Sequence, residues 1–126
     1  MRRDAAPEPT TDGWTVEYYE TESGNVPVLE WIERMSPRAQ ADVLGYIEQL
    51  ASLGLEAHCP LVAPLGDGLY ELRWKSEDKQ HRIAYFAIRG RTFVLLHGIV
   101  KKQWEWPKKE LKLAQKRMRD YERRNS

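Results

Sequence analysis

The stretch from Gly68 to Lys102 constrains this chain most, because it reads as three consecutive strands separated by turns at Ser76 to Lys79 and at Arg89-Gly90. Tyr70, Leu72 and Trp74 alternate with Leu69, Glu71, Arg73 and Lys75, the pattern of a half-buried strand. The second run, Gln80 to Ile88, and the third, Thr92 to Val100, are richer in aromatic and β-branched residues. They predict deeper burial, with the third run central.

Short turns fix which residues of a meander face each other. A two-residue turn at Arg89-Gly90 pairs Ile88 with Arg91 and sets Arg82 opposite His97. A four-residue turn from Ser76 to Lys79 pairs Lys75 with Gln80 and sets Arg73 opposite Arg82. Arg73, Arg82 and His97 then form one row across one face. A three-residue turn at Arg89 to Arg91 would instead move Arg82 opposite Gly98. Like charges facing each other across a sheet cost roughly 0.2 to 1 kcal/mol, so two facing arginines call for an anion between them. Either a bound ligand supplies it, or Glu71, two residues along the same face, does so in an ordinary ion pair.

Residues 1–12 are polar and Pro-rich and read as a disordered tail, leaving 13–126 as one α/β (α+β) domain. Trp14, Val16 and Tyr18 alternate with Thr15, Glu17 and Tyr19 in a first strand of about six residues. Pro27 marks a helix beginning near Asn25 or Val26, with Val28, Ile32 and Met35 on one face. Ser36-Pro37 starts a second helix whose inner face is Ala39, Val43, Tyr46, Ile47, Leu50 and Leu53, closed by Gly54. The two make a helical hairpin packed on one face of a mainly antiparallel sheet, and Glu30, Glu33, Asp42 and Glu48 read as its solvated side. Leu61 to Leu65 is a short apolar segment that Pro64 assigns to an edge. Pro107 opens a final basic helix reaching about Arg123, with a narrow apolar stripe of Leu111, Ala114, Met118 and Tyr121 and weak docking. Trp104 and Trp106, just before it, serve either as core plugs or as stacking platforms.

Charge is unevenly spread. Residues 1–60 hold 4 Lys and Arg against 11 Asp and Glu, whereas residues 61–126 hold 16 against 8. A basic second half fits a phosphate-bearing partner, although a solvated basic helix produces much of the same asymmetry. The lone Cys59 excludes an intrachain disulfide and a cysteine-based metal cluster. His58, His81 and His97 include no pair at metal-ligand spacing, and no P-loop or dinucleotide glycine pattern occurs, so no metal and no cofactor is expected. No apolar stretch approaches the ~20 residues needed to span a bilayer, and the N-terminus lacks a signal-peptide core. The expectation is a cytoplasmic protein without a membrane partner.

Leu65-Gly66-Asp67-Gly68-Leu69-Tyr70-Glu71-Leu72-Arg73, then His81-Arg82-Ile83-Ala84-Tyr85-Phe86, then Leu95-Leu96-His97-Gly98-Ile99-Val100-Lys101-Lys102, then Pro107 follow one another in this order. Together they resemble the phage-derived HigB-type toxins of the RelE/ParE superfamily, over essentially residues 14 to 123. The resemblance implies a compact fold with two N-terminal helices on an antiparallel-rich sheet and a C-terminal helix. It also implies the toxin of a type II toxin–antitoxin pair, a ribosome-dependent mRNA endonuclease held inactive by a helix-turn-helix antitoxin. Trp106 departs from the small or polar residue expected before the helix-initiating proline.

Residue chemistry reaches a related conclusion. Metal-free RNA cleavage needs a base for the 2′-hydroxyl, cations for the charge growing on the phosphate, and an acid for the leaving oxygen. A positioned acid or base contributes typically about 10²- to 10⁴-fold, and preorganised donors around the oxyanion are often the largest contribution. Arg73 and Arg82 have the planar fork suited to phosphate. His97 is the proton-transfer candidate because its ordinary pKa is near neutral, with Tyr85, Lys101 and Lys102 as substitutes. Lys75, Lys101 and Lys102, with Lys108 and Lys109 on the final helix, are candidates to hold RNA backbone. Two alternatives stand beside this reading: a non-catalytic member that only binds antitoxin or ribosome, and a gyrase poison like other members of the superfamily.

Overall fold

The computed structural model describes residues 13–57, 61–101 and 105–125, with only the backbone of Lys101. The expected tail over residues 1–12 lies outside these, as do His58, Cys59, Lys102 and Trp104. In chain order the elements are β1 (Thr15–Tyr18), α1 (Pro27–Glu33), α2 (Pro37–Leu53), β2 (Val62–Gly66), β3 (Leu69–Ser76), β4 (Lys79–Ile88), β5 (Thr92–Lys101) and α3 (Lys108–Arg124). A short 3₁₀ turn over Gly54–Glu56 follows α2. This is an α+β fold around a five-stranded mixed sheet of order β1-β5-β4-β3-β2. β1 runs parallel to β5, and the remaining pairs are antiparallel. The third run of the meander, β5, is an interior strand, but β4 occupies the centre.

Both faces of the sheet are covered. On one, Val28 and Ile32 of α1 and Val43, Ile47 and Leu50 of α2 meet Leu72, Trp74, Ile83, Tyr85, Phe93 and Leu95. On the other, Ala114, Met118 and Tyr121 of α3 meet Leu69, Ala84, Phe86, Val94, Leu96 and Ile99. The stripe read as weakly docking therefore closes a second core layer. α2 starts as its sequence dictates: Pro37 holds the first position and the Ser36 hydroxyl accepts from the Ala39 N–H at 3.1 Å. Its inner face differs from expectation at two places. Leu53 is 40% exposed. Asp42, read as solvated, accepts a hydrogen bond from the Ser76 hydroxyl at 2.7 Å and ties α2 to β3.

The β3–β4 register is the expected one, with Arg73 opposite Arg82 and Lys75 opposite Gln80. Glu77 and Asp78 take left-handed φ of 52° and 62°, the conformation of a two-residue turn that matches strand twist. The Ser36 hydroxyl holds the Glu77 carboxylate at 3.1 Å, which anchors this strained turn to the start of α2. The β4–β5 register is not the expected one. Ile88 pairs with Thr92 around a three-residue turn, and the pairing shifts again between Ala84 and Tyr85, where Leu96 is the extra residue of a bulge. Arg82 consequently faces Ile99, and His97 faces Ala84.

Candidate functional site

Glu71 and Arg73 share a face of β3 with Arg82 of β4, and the chain itself places an anion between the two arginines. Glu71 Oε1 lies 3.3 Å from Arg82 Nη1, and its Oε2 lies 3.8 Å from Arg73 Nη1. The indole N–H of Trp106 donates to the same Glu71 Oε1 at 2.9 Å, and Arg82 Nη2 donates to Gln80 Oε1 at 3.1 Å. Trp106 is thus a buried plug with a polar task, and the unusual residue before Pro107 has its reason. Arg82 is only 1% exposed, so it faces no solvent-borne ligand. Arg73, with 22% of its side chain exposed, is the outer member of the pair.

Beside Arg73 the sheet opens. β2 begins at Val62, opposite Leu72, and the backbone of Leu61 accepts from the Arg73 N–H at 2.9 Å, the last contact of that edge among the described residues. The end of β3 beyond it borders a groove of about 490 Å³ lined by Tyr46, Gln49, Leu61, Arg73, Trp74, Lys75 and Gln80. No carboxylate is among these residues, and two are cations. Lys75, Gln80 and the backbone position of Lys101 are consecutive neighbours across this end of the sheet. Lys108 and Lys109 are exposed in the first turn of α3, where the helix dipole disfavours cations. Lys102 falls outside the described residues.

His97 lies on the α3 side of the sheet because the bulge turns both Leu96 and His97 that way. Its Nε2 sits 2.6 Å from Glu110 Oε1, and Arg117 Nη1 sits 2.9 Å from both His97 Nδ1 and the Leu96 carbonyl. Arginine only donates, so Nδ1 accepts, the ring proton resides on Nε2, and Nε2–H donates to Glu110. Burial lowers the His97 pKa below its ordinary 6.5; hydrogen bonding to Glu110 opposes this and the Arg117 charge reinforces it. His97, Arg117, Glu30, Trp31 and Arg34 line a separate cleft of about 280 Å³. Tyr85 is on the opposite face, packed against Tyr70 and edge-on to Phe93. Burial, reinforced by Tyr70, drives its phenol far above the ordinary range.

Of the candidates, then, Arg73, Arg82 and Lys75 come together at one end of the sheet. His97 lies on the same face under α3, its ring centroid 6.2 Å from that of Trp106, the donor to Glu71, and Tyr85 is on the other face. Glu110 and Arg117 were not singled out from sequence, although their spacing of seven puts them on the flank of the apolar stripe of α3. Among the described residues no group of three or more His, Cys, Asp or Glu is arranged to hold a metal ion. No helix among them is long and apolar enough to cross a membrane.

The model of the family described as Phage derived protein Gp49-like (DUF891) matches residues 30–119, from α1 through most of α3. The chain belongs to this family. Gp49-like proteins are a toxin-like family of the RelE/HigB type, and membership is consistent with the toxin half of a toxin–antitoxin pair that meets an antitoxin. A search of curated proteins returned no match. The Gp49-like match spans α2 and β2–β5 and so contains the whole groove and the Glu71–Arg82 layer on the α3 face of the sheet.

Proposed function

We propose that this Gp49-like chain is the HigB-like toxin of a type II pair and cleaves mRNA on the translating ribosome without a metal, under the control of a helix-turn-helix antitoxin. The observation that carries the reading is the carboxylate-free groove with Arg73 and Lys75 on its wall, within the family's matched region. Arg73 is the phosphate-facing guanidinium, and Lys75 follows the backbone as a point charge. Arg82 supports them from below by fixing Glu71, which in turn orients Arg73. Lys101, Lys102, Lys108 and Lys109 extend the cationic track. His97 is the proton-transfer candidate, kept neutral with its proton on Nε2, and it takes up a proton at Nδ1 only when Arg117 lets go of that nitrogen.

A second reading has one observation in its favour. Both ring nitrogens of His97 are engaged, and no histidine or carboxylate lines the groove, which suits a protein that blocks the ribosome without cutting. Primer extension on a defined mRNA in a reconstituted translation system separates the two, with and without ribosomes, for the natural protein and Arg73→Ala. The expected result is cuts that need both ribosomes and Arg73. Stalled but intact mRNA favours the blocking reading, and undisturbed translation ends both and turns the test to gyrase.

A further inference from the structure

A column of stacked rings runs from the core to the groove. His81 stacks on Trp74 with centroids 5.5 Å apart and planes 18° apart, and Trp74 stacks on Tyr46 at 5.6 Å and 20°. Trp31 closes the inner end, edge-on to Trp74 at 6.4 Å. Trp74 and His81 are buried, whereas Tyr46 is half-buried and lines the groove. The column therefore ends at the groove.

The groups around that end have a common character. The Gln80 carboxamide oxygen is taken by Arg82, so Gln80 offers its N–H groups. Trp74 lines the groove, and its indole N–H, buried behind that surface, has no acceptor among the described residues. Arg73 and Lys75 border the groove from the end of β3, their side chains alternating to the other face from Trp74 and within reach around the strand end. Gln49 stands one helical turn from Tyr46 with both donor and acceptor. A groove floored by an aromatic face and rimmed by donors fits a flat, acceptor-rich group that carries negative charge. An unpaired nucleobase with its phosphates meets that description, since every base offers a π-face and stacking tolerates sequence. A base inside a duplex has no free face to offer.

We propose that the open end of the Tyr46–Trp74–His81 column is a base-stacking subsite, which takes one unpaired base on Tyr46 while Arg73 and Lys75 hold the adjoining phosphates. The subsite rests on the RNA reading above and names the residues that receive the substrate. Its test is fluorescence anisotropy with a short labelled single-stranded RNA, the same sequence as a duplex, and an abasic strand of equal length. The natural protein, Tyr46→Phe and Tyr46→Leu are compared, with thermal unfolding to establish that each is folded.

Tyr46→Leu is expected to weaken single-strand binding by roughly 5- to 150-fold, the worth of one stacked base, with Tyr46→Phe within about twofold of the natural protein. The abasic strand, which needs no variant, is expected to bind the natural protein as weakly as single strand binds Tyr46→Leu. Equal binding of abasic and ordinary strands, equal binding by Tyr46→Leu, or no binding of single strand by the natural protein overturns the subsite. The toxin reading is judged separately in the translation assay. If the natural protein and Tyr46→Leu cut mRNA at the same rate, the subsite falls and the toxin reading stands; a natural protein that neither binds nor cuts removes both.

Discussion

Arg82 and Arg73 face each other across two strands and have opposite requirements. Arg82 and Glu71 are buried together, so Arg82→Ala leaves the Glu71 carboxylate only the Trp106 N–H and the longer Arg73 contact, a change expected to cost about 3–5 kcal/mol. Arg73→Ala removes a longer and partly exposed contact and is expected to cost no more than about 1 kcal/mol. Urea unfolding of both variants checks this; a well-folded Arg82→Ala would contradict the account. His97 gives a second expectation. Its folded pKa lies below the unfolded value of 6.5, so its contribution is fully present above about pH 6.5. That contribution is lost as pH falls through the folded value, because the unfolded chain takes up the proton first. Unfolding midpoints measured between pH 5 and pH 8 are expected to decline on the acid side, and less so in His97→Gln. At this scale the sequence disclosed that two arginines face each other and that Glu71 could neutralise them. Burial depth was not legible there, because it depends on Trp106 closing over the pair from a distant part of the chain.

Among the elements, the two hairpins show what local patterning can and cannot specify. The β3–β4 register follows from alternation and a short turn, and the α2 cap from Ser36-Pro37. In β4–β5 the three-residue turn that stood as the alternative is the one adopted, with Arg91 at φ 56° beside Gly90, and what escaped is the bulge at Leu96. Neither residue type advertises this: the Arg91 carbonyl accepts from the Thr15 N–H of β1, and Arg117 of α3 holds the Leu96 carbonyl of the bulge, partners that propensity does not name. The bulge also sends Gly98 to the opposite face, under Trp31. A Cβ at Gly98 would come closer than 3.0 Å to the Trp31 ring, so Gly98→Ala is expected to destabilise the protein by about 1–3 kcal/mol. Thermal unfolding measures it, and an unchanged midpoint would mean that α1 slides freely over the sheet.

Across the whole molecule, the charge asymmetry read from the sequence becomes spatial. Glu110 and Asp120 of α3 turn inward, to His97 and to Tyr19 and Arg124 respectively. The outer side of the helix keeps Lys108, Lys112, Lys116 and Arg119 in solvent. RNA affinity is therefore expected to fall with salt, and Lys75→Ala to lower the slope of log K against log salt by about 0.7. Titrations between low and moderate salt measure it, and an unaltered slope would place Lys75 away from the phosphates.

The parallel pairing of β1 with β5 also sets a schedule for synthesis. Val16 and Tyr18 leave the ribosome early, yet Phe93 and Leu95, their partners, are made more than seventy residues later. Until then the first strand has no edge to join, and the second core layer still awaits α3. A nascent chain of this kind acquires the finished sheet only after β5 is made, and the layer that holds Glu71 is sealed later still, by Trp106. The order of strands in space thus works as a timer, holding back the finished sheet until its fifth strand has been made.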